Sequence, residues 1–254
     1  MRPKIICQMT TAVDGRMLAE RWSKPAAGID EKVVRGHYDQ IYEQFNPDGW
    51  IVGRKTMEEF TEGSPRVFAK PSGNPREPFF GNRNGRRVAV VIDPLGKLHY
   101  GRDHADGDHV IAILSHEVPD EYLAELRHDG VSFFFAALGP DAGASVRQQQ
   151  LCAAMDVLGG TFGIKTLFLQ GGGITNGLFL KAGLIDEYSL LIYPGIDGLA
   201  GIPTSFEYPG QPGELPAAGQ ALRHLETQIL EGGVVWSRYR SERISPGIPS
   251  GISP

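Results

Sequence analysis

Residues 165–176, Lys165-Thr166-Leu167-Phe168-Leu169-Gln170-Gly171-Gly172-Gly173-Ile174-Thr175-Asn176, join an apolar run to a helical pattern. The pattern predicts a buried strand over Lys165–Leu169, a turn of three glycines, and a helix over Ile174–Lys181. Without Cβ atoms the glycines let the chain turn sharply and let an anion approach the backbone, while the start of the helix offers free N–H groups. The stretch therefore predicts either a phosphate-binding turn or simply a tight strand-to-helix connection.

Within this helix we expect Ile174, Leu178 and Ala182 to face the core and Gly183 to end it. The turn does not match the Rossmann fingerprint, because Asn176 stands where the third glycine belongs and the acidic residue about twenty positions further on is missing.

The same order of strand, glycine and helix occurs at Val52-Gly53-Arg54-Lys55-Thr56. Cations are unfavourable at the positive end of a helix, so Arg54 and Lys55 indicate a compensating anion. Arg54 has the fork geometry that suits a ribose 2′-phosphate, and Thr56 can donate to a diphosphate oxygen. Taken alone, the stretch is equally compatible with a solvated basic turn.

Apolar strands alternate with helical patterns along most of the chain. The predicted strands are Lys4–Thr10, Trp50–Val52, Arg87–Ile92, Val110–Leu114, Val131–Ala136, Lys165–Leu169 and Glu187–Ile192. The predicted helices are Asp30–Phe45, Arg54–Phe60, Pro119–His128, Ser145–Leu158 and Ile174–Lys181. Continuous apolar strands indicate a largely parallel sheet with helices on both faces, an α/β fold. Ala221–Leu230 and Val234–Arg240 flank a Gly-rich turn and predict an antiparallel C-terminal hairpin.

We expect one domain over residues 1–243, because no linker or repeat interrupts the pattern. Thr61–Arg86 is rich in Gly, Pro, Asn and Arg and predicts a long surface loop. Residues 244–254 form a Pro/Gly/Ser tail for which we expect disorder.

The composition excludes several classes of function. The chain of 254 residues has 25 basic and 30 acidic side chains, a net charge of −5, so nucleic acid is not the expected partner. The apolar runs are too short to cross a membrane, and only Cys7 and Cys152 occur, so we expect a cytoplasmic protein without disulfides. His99, His104 and His109 fit no ligand spacing, and no metal is expected.

A polar turn follows the first strand in Thr10–Met17, Thr10-Thr11-Ala12-Val13-Asp14-Gly15-Arg16-Met17. Asp14-Gly15 is typical of a plain turn. The functional alternative is a loop that covers the reacting groups, with Asp14 or Thr11 touching the substrate.

In this order, Thr10–Met17, Gly53–Thr56 and Gly171–Leu184 resemble the dihydrofolate-reductase-like superfamily. They are most similar to its riboflavin-biosynthesis branch, the C-terminal reductase domain of the bifunctional deaminase-reductase. Arg87–Asp93, Gly183–Glu187 and Gly233–Tyr239 resemble further segments of that branch.

The resemblance implies a homodimeric, NADPH-dependent reductase of a ribosylamino-pyrimidine phosphate. It implies a mostly parallel sheet with NADPH across the carboxyl ends of the strands. The implied cofactor-binding residues are Gly53, Arg54, Lys55, Thr56, Ser115, Gly171, Gly172, Gly173, Ile174 and Thr175. The implied substrate-binding residues are Thr11, Arg16 and Trp22. Asp14 is the candidate proton donor, and an ordered water is the alternative.

The chain also departs from that branch. Gln170 replaces a glutamate that often precedes the glycines, and the Thr61–Arg86 loop lacks the Asp-Asp-Pro segment and its phosphate-reading arginine. Arginines of the loop, namely Arg66, Arg76, Arg83 and Arg86, are candidates to replace it. The zinc-deaminase signature is absent from the sequence given. Reduction of a pterin-like or other heterocyclic substrate, or NADPH binding without catalysis, therefore remains an alternative.

Overall fold

The computed structural model describes residues 1–61, 63–67, 76–136 and 144–244. The strands are β1 (Lys4–Ala12), β2 (Gly49–Gly53), β3 (Val88–Ile92), β4 (His104–Ala105), β5 (Asp108–Leu114), β6 (Ser132–Phe135), β7 (Thr166–Leu169), β8 (Glu187–Tyr193), β9 (Gln220–Ile229) and β10 (Val235–Arg243). The α-helices are α1 (Glu31–Phe45), α2 (Arg54–Met57), α3 (Asp120–Asp129), α4 (Ala144–Gly160) and α5 (Gly173–Lys181).

All ten strands belong to one sheet, in the order β4-β5-β3-β2-β7-β1-β8-β10-β9, with β6 paired to β5. The strands from β6 through β5, β3, β2, β7 and β1 to β8 pair in parallel. β10 pairs antiparallel with both β8 and β9, and β4 pairs antiparallel with β5. The prediction of a mostly parallel sheet with an antiparallel C-terminal hairpin is confirmed.

The sheet is covered by helices on both sides, which explains its continuously apolar strands. On one side, called here the α1 face, Tyr42 of α1 packs against Phe168, and Leu123 of α3 belongs to the same core cluster. On the other side, called the α5 face, Met155 of α4 and Phe179 of α5 pack in one core cluster with Leu169. Successive residues of one strand therefore enter different core clusters.

Two helices differ from their predicted form. The helix expected over Arg54–Phe60 is α-helical only to Met57 and continues as a 3₁₀ turn over Glu58–Phe60. In α5, Ile174 does not face the core, since its exposed fraction is 54%.

The face of α5 that is buried carries small residues because another part of the backbone crosses it closely. A Cβ at Gly173 would lie 2.3 Å from the carbonyl oxygen of Thr204, and one at Gly177 would lie 2.6 Å from that of Glu207. Gly183 follows the helix at φ +62°, as expected of a glycine that ends a helix.

The long connection between β8 and β9, residues 194–219, was not singled out by the sequence pattern. Its backbone binds the loop after β1: Met17 N–H donates to Pro203 O, and Arg16 forms an antiparallel bridge with Thr204. This connection therefore fixes the loop after β1 and the start of α5 together.

The predicted loop Thr61–Arg86 is described only in part. Phe79 forms an isolated bridge to Phe133, and Gly81 N–H donates to Ser132 Oγ at 2.9 Å, so this portion follows the β6 edge of the sheet. Residues 62 and 68–75 lie outside the described residues, as does the predicted tail beyond Ile244.

Candidate active site

The two glycine turns meet at the carboxyl edge of the sheet. β2 and β7 are parallel neighbours, with Ile51 opposite Leu169. Beyond this pair, Gly53 N–H donates to Gly171 O at 2.9 Å. A Cβ at Gly53 would lie 2.3 Å from Thr175 Oγ1, so only glycine allows this approach. Two segments more than a hundred residues apart thus form one local structure.

A crevice begins beside this structure, because β1 and β7 separate at their carboxyl ends. Their pairing stops at Cys7 and Leu169, whereas β1 continues against β8 as far as Ala12 and Tyr193. From Gln8 onward, the edge of β1 that faces β7 has no strand partner in the described part of the chain. α1 follows β1 on one face of the sheet and α5 follows β7 on the other, which is the topology of a ligand-binding switch point.

The start of α5 is open towards this crevice. Gly172 is its N-cap residue, and no side chain of the described residues caps it. The Gly171–Gly172 peptide bond is cis, and Gly171 adopts φ +96°. Around Gly172 the space is free: the nearest atom to an added Cβ is Thr56 Oγ1, at 3.8 Å. Unoccupied N–H groups beside a hydroxyl are what an anionic oxygen needs.

The basic side chains of the first glycine turn are exposed. Arg54 forms an i,i+4 ion pair with Glu58, and its side chain has an exposed fraction of 37%. Lys55 points into solvent. An anion that binds Arg54 therefore competes with Glu58, and solvent weakens the attraction between these two exposed side chains.

The end of β3 places a carboxylate next to this turn. Asp93 is fully buried, and its Oδ2 accepts from the N–H groups of Lys97 at 2.7 Å and Leu98 at 3.0 Å. Burial raises the pKa of this carboxyl. Asp93 therefore stabilises the turn after β3, immediately beside Arg54.

Ser115 lies at the same edge, at the end of β5 and two strands from β2. Two strand spacings amount to roughly 10 Å. Its hydroxyl is buried and accepts from Glu117 N–H at 3.2 Å. The cofactor-binding residues expected from the sequence are thus distributed along one edge, from β5 across β3 and β2 to β7.

Asp14 has the surroundings of a turn-stabilising residue. It is exposed, and its carboxylate accepts from Gly198 N–H at 2.8 Å and Asp197 N–H at 3.4 Å. These amides, that of Gly198 above all, lower the pKa of Asp14. Arg16 Nη1 likewise donates to Ile202 O at 2.8 Å. Both side chains attach the loop after β1 to the 194–219 connection.

Thr11 and Trp22 are not brought together. Thr11 lines a cavity of about 430 Å³ on the α5 face, together with Met9 and Leu190. Trp22 packs against Tyr193 with tilted rings, at a centroid distance of 4.9 Å, in the cluster of the α1 face. Thr11 and Trp22, both expected to bind substrate, therefore lie on opposite faces of the sheet.

The site residues expected from the sequence did not include Gln8, Thr10 or Tyr38. Gln8 Nε2 donates to Tyr38 O at 2.8 Å, and Tyr38 Oη donates to Gln8 O at 3.3 Å. Both β1 residues lie on the free-edge segment, beside α1. The sequence does contain a signal for Gln8 and Thr10. They are polar residues two positions apart in an otherwise apolar strand, so they share one face of the sheet.

The arginines suggested as phosphate ligands have other partners. Arg66 pairs with Glu125 and Asp129, Arg76 with Asp120, and Arg86 with Asp103. Arg83 donates to Arg86 O. These contacts lie around α3 and the β4–β5 end of the sheet, away from the crevice.

The three loop histidines do not converge. His99 Nδ1 lies 2.9 Å from Glu125 Oε1, whereas His109 Nε2 lies 2.7 Å from Ser132 Oγ. Among the described residues no group of three or more His, Cys, Asp or Glu side chains is arranged to hold a metal ion. Likewise, no helix within the described ranges is long and apolar enough to span a membrane.

The sheet order and the two glycine turns at its carboxyl edge define an α/β fold of the dihydrofolate-reductase-like class. The profile of the RibD C-terminal domain family matches residues 3–235. The chain belongs to this family, which places it among the reductases of riboflavin biosynthesis.

Individual relatives agree with this assignment. The chain is 28% identical over 202 residues to the 2,5-diamino-6-ribosylamino-4(3H)-pyrimidinone 5′-phosphate reductase of Methanothermobacter thermautotrophicus, covering 78% of this chain and 81% of the relative. A pyrimidine reductase-like protein of Corynebacterium diphtheriae superposes with a TM-score of 0.63 at 16% identity, covering 95% and 93% of the two chains. The riboflavin biosynthesis reductase of Saccharomyces cerevisiae gives a TM-score of 0.56 at 13% identity, covering 95% and 90%.

Proposed function

We propose that this protein uses NADPH to reduce a ribosylamino-pyrimidine phosphate in the crevice between β1 and Gly171. The hydrogen bond from Gly53 to Gly171 carries this proposal, because it joins two glycine turns directly beside the point where β1 and β7 separate. The archaeal relative is named as a reductase of such a pyrimidine phosphate, which supports this substrate class.

The residues at the edge fit NADPH. The uncapped start of α5 and the free space at Gly172 suit the diphosphate, with Thr56 and Thr175 beside it. Arg54 and Lys55 suit the 2′-phosphate, and Ser115 extends the site towards the adenosine. When bound, NADPH supplies the hydride. The protein's own contribution is to hold both molecules at the crevice in the orientation that hydride transfer needs.

We assign the proton to an ordered water. A general acid needs a pKa near the working pH, whereas the backbone amides lower the pKa of Asp14. Asp14 then serves to hold the loop after β1 against Gly198.

We further propose a homodimer formed through the α5 face of the C-terminal hairpin. On this face α5 meets the start of β9, where Gln220 Nε2 donates to Leu180 O at 2.9 Å, and most of the strand beyond it is exposed in the described chain. Apolar side chains on it are solvent-exposed: Ile192 at 37%, Leu222 at 52% and Ile229 at 80%. Leu222 and Ile229 lie near the two ends of β9, and Ile192 lies on the neighbouring strand β8; exposed apolar residues on one sheet face suit an interface. Unpaired Cys7 and Cys152 agree with a cytoplasmic location.

The test is loss of NADPH absorbance with the deaminated ribosylaminopyrimidine phosphate, its 2,5-diamino analogue and dihydrofolate as substrates, with NADPH and NADH titrated in parallel. Turnover of either pyrimidine supports the proposal. Turnover of dihydrofolate alone would replace the substrate class. Tight NADPH binding without any turnover would indicate a non-catalytic protein or another substrate.

A further inference from the structure

The buried side-chain amide of Gln8, on β1, has an oxygen without a hydrogen-bond partner among the described residues. Gln8 has an exposed fraction of 0%. Its Nε2 donates to α1 through Tyr38 O, but its Oε1 has no hydrogen-bond partner within the described part of the chain. Tyr38 returns a hydrogen bond to the backbone oxygen of Gln8, which fixes the side chain and the strand against each other. Gln8 is thus held rigidly with one acceptor unused.

Thr10 repeats this situation two residues further along. Side chains two apart on a strand share a face, so Thr10 lies beside Gln8 on the α1 face. Its pairing with Leu191 agrees, because Leu191 packs with Val34 of α1. Thr10 Oγ1 is buried and has no partner among the described residues.

Trp22 carries a third buried polar atom on this face that has no hydrogen-bond partner in the described residues. Its indole packs against the ring of Tyr193, in the same α1-face cluster as Leu191. Trp22 Nε1 is buried and also lacks an acceptor in the described ranges. Buried polar atoms in folded proteins nearly always have a hydrogen-bond partner. The described residues hold further buried polar atoms without a partner, but these three are grouped on one side of the free segment of β1, and this grouping favours a ligand over independent defects.

The chemistry of the three groups defines the ligand. Gln8 supplies an acceptor, Trp22 a donor, and Thr10 either. None of them is charged. The carboxylates of α1 do not supply charge either, since Glu31 pairs with Arg35, Glu43 pairs with Arg87, and Asp39 is exposed. This set matches the edge of a neutral ring that carries N–H donors and a carbonyl.

We infer that Gln8, Thr10 and Trp22 recognise the ring edge of a neutral aminopyrimidinone bound on the α1 face of β1. The inference rests on the proposed function and assigns substrate specificity within that site. It replaces Thr11 by Thr10, because neighbouring residues of β1 face opposite sides of the sheet. It also disfavours a pterin that must be protonated by a carboxylate on binding.

The experiment compares Thr10→Val with Thr11→Val. Both substitutions replace a hydroxyl by a methyl group, but they lie on opposite faces of the sheet. The probe is the free triaminopyrimidinone base, titrated by calorimetry into the NADPH-loaded protein. We expect Thr10→Val to raise the Kd of the base about ten-fold, the loss of one well-formed hydrogen bond, and Trp22→Phe and Gln8→Met to raise it at least as much. The Kd of NADPH should stay within about two-fold in each variant, which confirms an intact fold.

The outcomes separate this inference from the proposed function. The inference is overturned if Gln8→Met, Thr10→Val and Trp22→Phe all bind the base as tightly as the wild type does. If the wild-type protein also turns over the pyrimidine phosphate, the proposed function stands. A larger effect of Thr11→Val than of Thr10→Val also overturns it. If Thr10→Val weakens base binding but the wild-type protein does not turn over the pyrimidine phosphate, the inference is supported and the proposed reaction is excluded. A wild-type protein that binds NADPH but not the base overturns the inference, whereas turnover of the pyrimidine phosphate still decides the proposed function.

Discussion

Gly53 donates its N–H to the carbonyl oxygen of Gly171 across 2.9 Å, and Thr175 Oγ1 occupies the place where a Cβ of Gly53 would lie. This contact connects the end of β2 to the turn that begins α5. Any ligand phosphate at the start of α5 therefore lies next to the basic turn of Arg54 and Lys55. The position of one turn depends on the absence of a side chain in the other.

Gly53→Ala should lower both stability and NADPH affinity. The backbone of Gly53, at φ −80°, suits alanine, so the effect comes from the 2.3 Å contact with Thr175 Oγ1 alone. Overpacking of this kind predicts a Tm lower by about 3–8 °C. Adding Thr175→Ala should recover most of that Tm, because the Cβ of Thr175 is 3.6 Å away.

The control for this pair is Gly36→Ala, in the middle of α1, where the nearest atom to an added Cβ is 4.0 Å away. It should leave Tm unchanged or raise it, through helix propensity. Calorimetry of the four proteins checks the prediction. A double variant no more stable than Gly53→Ala would contradict the assigned contact.

The sequence predicted the strands in their order along the chain, apart from the short β4, and both glycine turns, because these depend on local patterns. Apolar runs define strands buried on two faces, and a glycine after a strand defines a turn whatever its neighbours are. It could not show that Gly53 contacts Gly171, since that depends on which strands become neighbours.

To choose between Thr10 and Thr11 as substrate residues, one must know which face of the sheet each side chain lies on. The sequence alone does not show this. Thr10 and Thr11 are chemically identical, and only the packing of α1 against Gln8 shows which of them faces that helix. The exposure of Ile174 had a similar cause: the 194–219 connection occupies the side of α5 that its amphipathic pattern suggested was free.

Arg54→Ala should discriminate between the two nicotinamide cofactors. If the guanidinium binds the 2′-phosphate, its removal costs a charged hydrogen bond of about 1.5–3 kcal/mol, or roughly ten- to a hundred-fold in the Kd of NADPH. NADH lacks this phosphate, so its Kd should change less than about three-fold. Fluorescence titration with both cofactors measures the difference.

Arg223→Ala is the matched control for that titration, because Arg223 forms an exposed ion pair with Glu242 on the distant hairpin. Its affinities should equal those of the wild type. Equal losses of NADPH and NADH affinity in Arg54→Ala would refute the 2′-phosphate role.

Ile229→Lys should convert a dimer into a monomer. Ile229 is 80% exposed on the α5 face of the hairpin, and a lysine there would place a charge in the proposed apolar interface. Light scattering after size-exclusion chromatography gives the mass directly. Leu215→Lys, at a side chain 72% exposed outside the hairpin, should keep the wild-type mass. A wild-type monomer, or an Ile229→Lys dimer, would exclude this interface.

Asp14→Asn tests whether the carboxylate donates a proton or holds a loop. The amide of Gly198 lowers the pKa of Asp14, so this group is ionised throughout the neutral range and cannot act as the acid there. The variant should therefore keep at least about a tenth of kcat, whereas loss of a true general acid costs about 10²–10⁴-fold. The acidic limb of the pH–rate profile should not move.

Stability should respond instead, and its pH dependence has a defined sign. Since the folded pKa of Asp14 is below its unfolded value near 4, its contribution is complete above that pH and disappears as the pH falls through the folded pKa. The Tm of Asp14→Asn should thus be lower than wild type at pH 7, and the difference should shrink on acidification, as the wild-type carboxylate also loses its charge. Asp106→Asn, at an exposed turn residue that asparagine tolerates at φ +48°, should show no such difference. A large loss of kcat with an unchanged Tm would instead restore Asp14 as the proton donor.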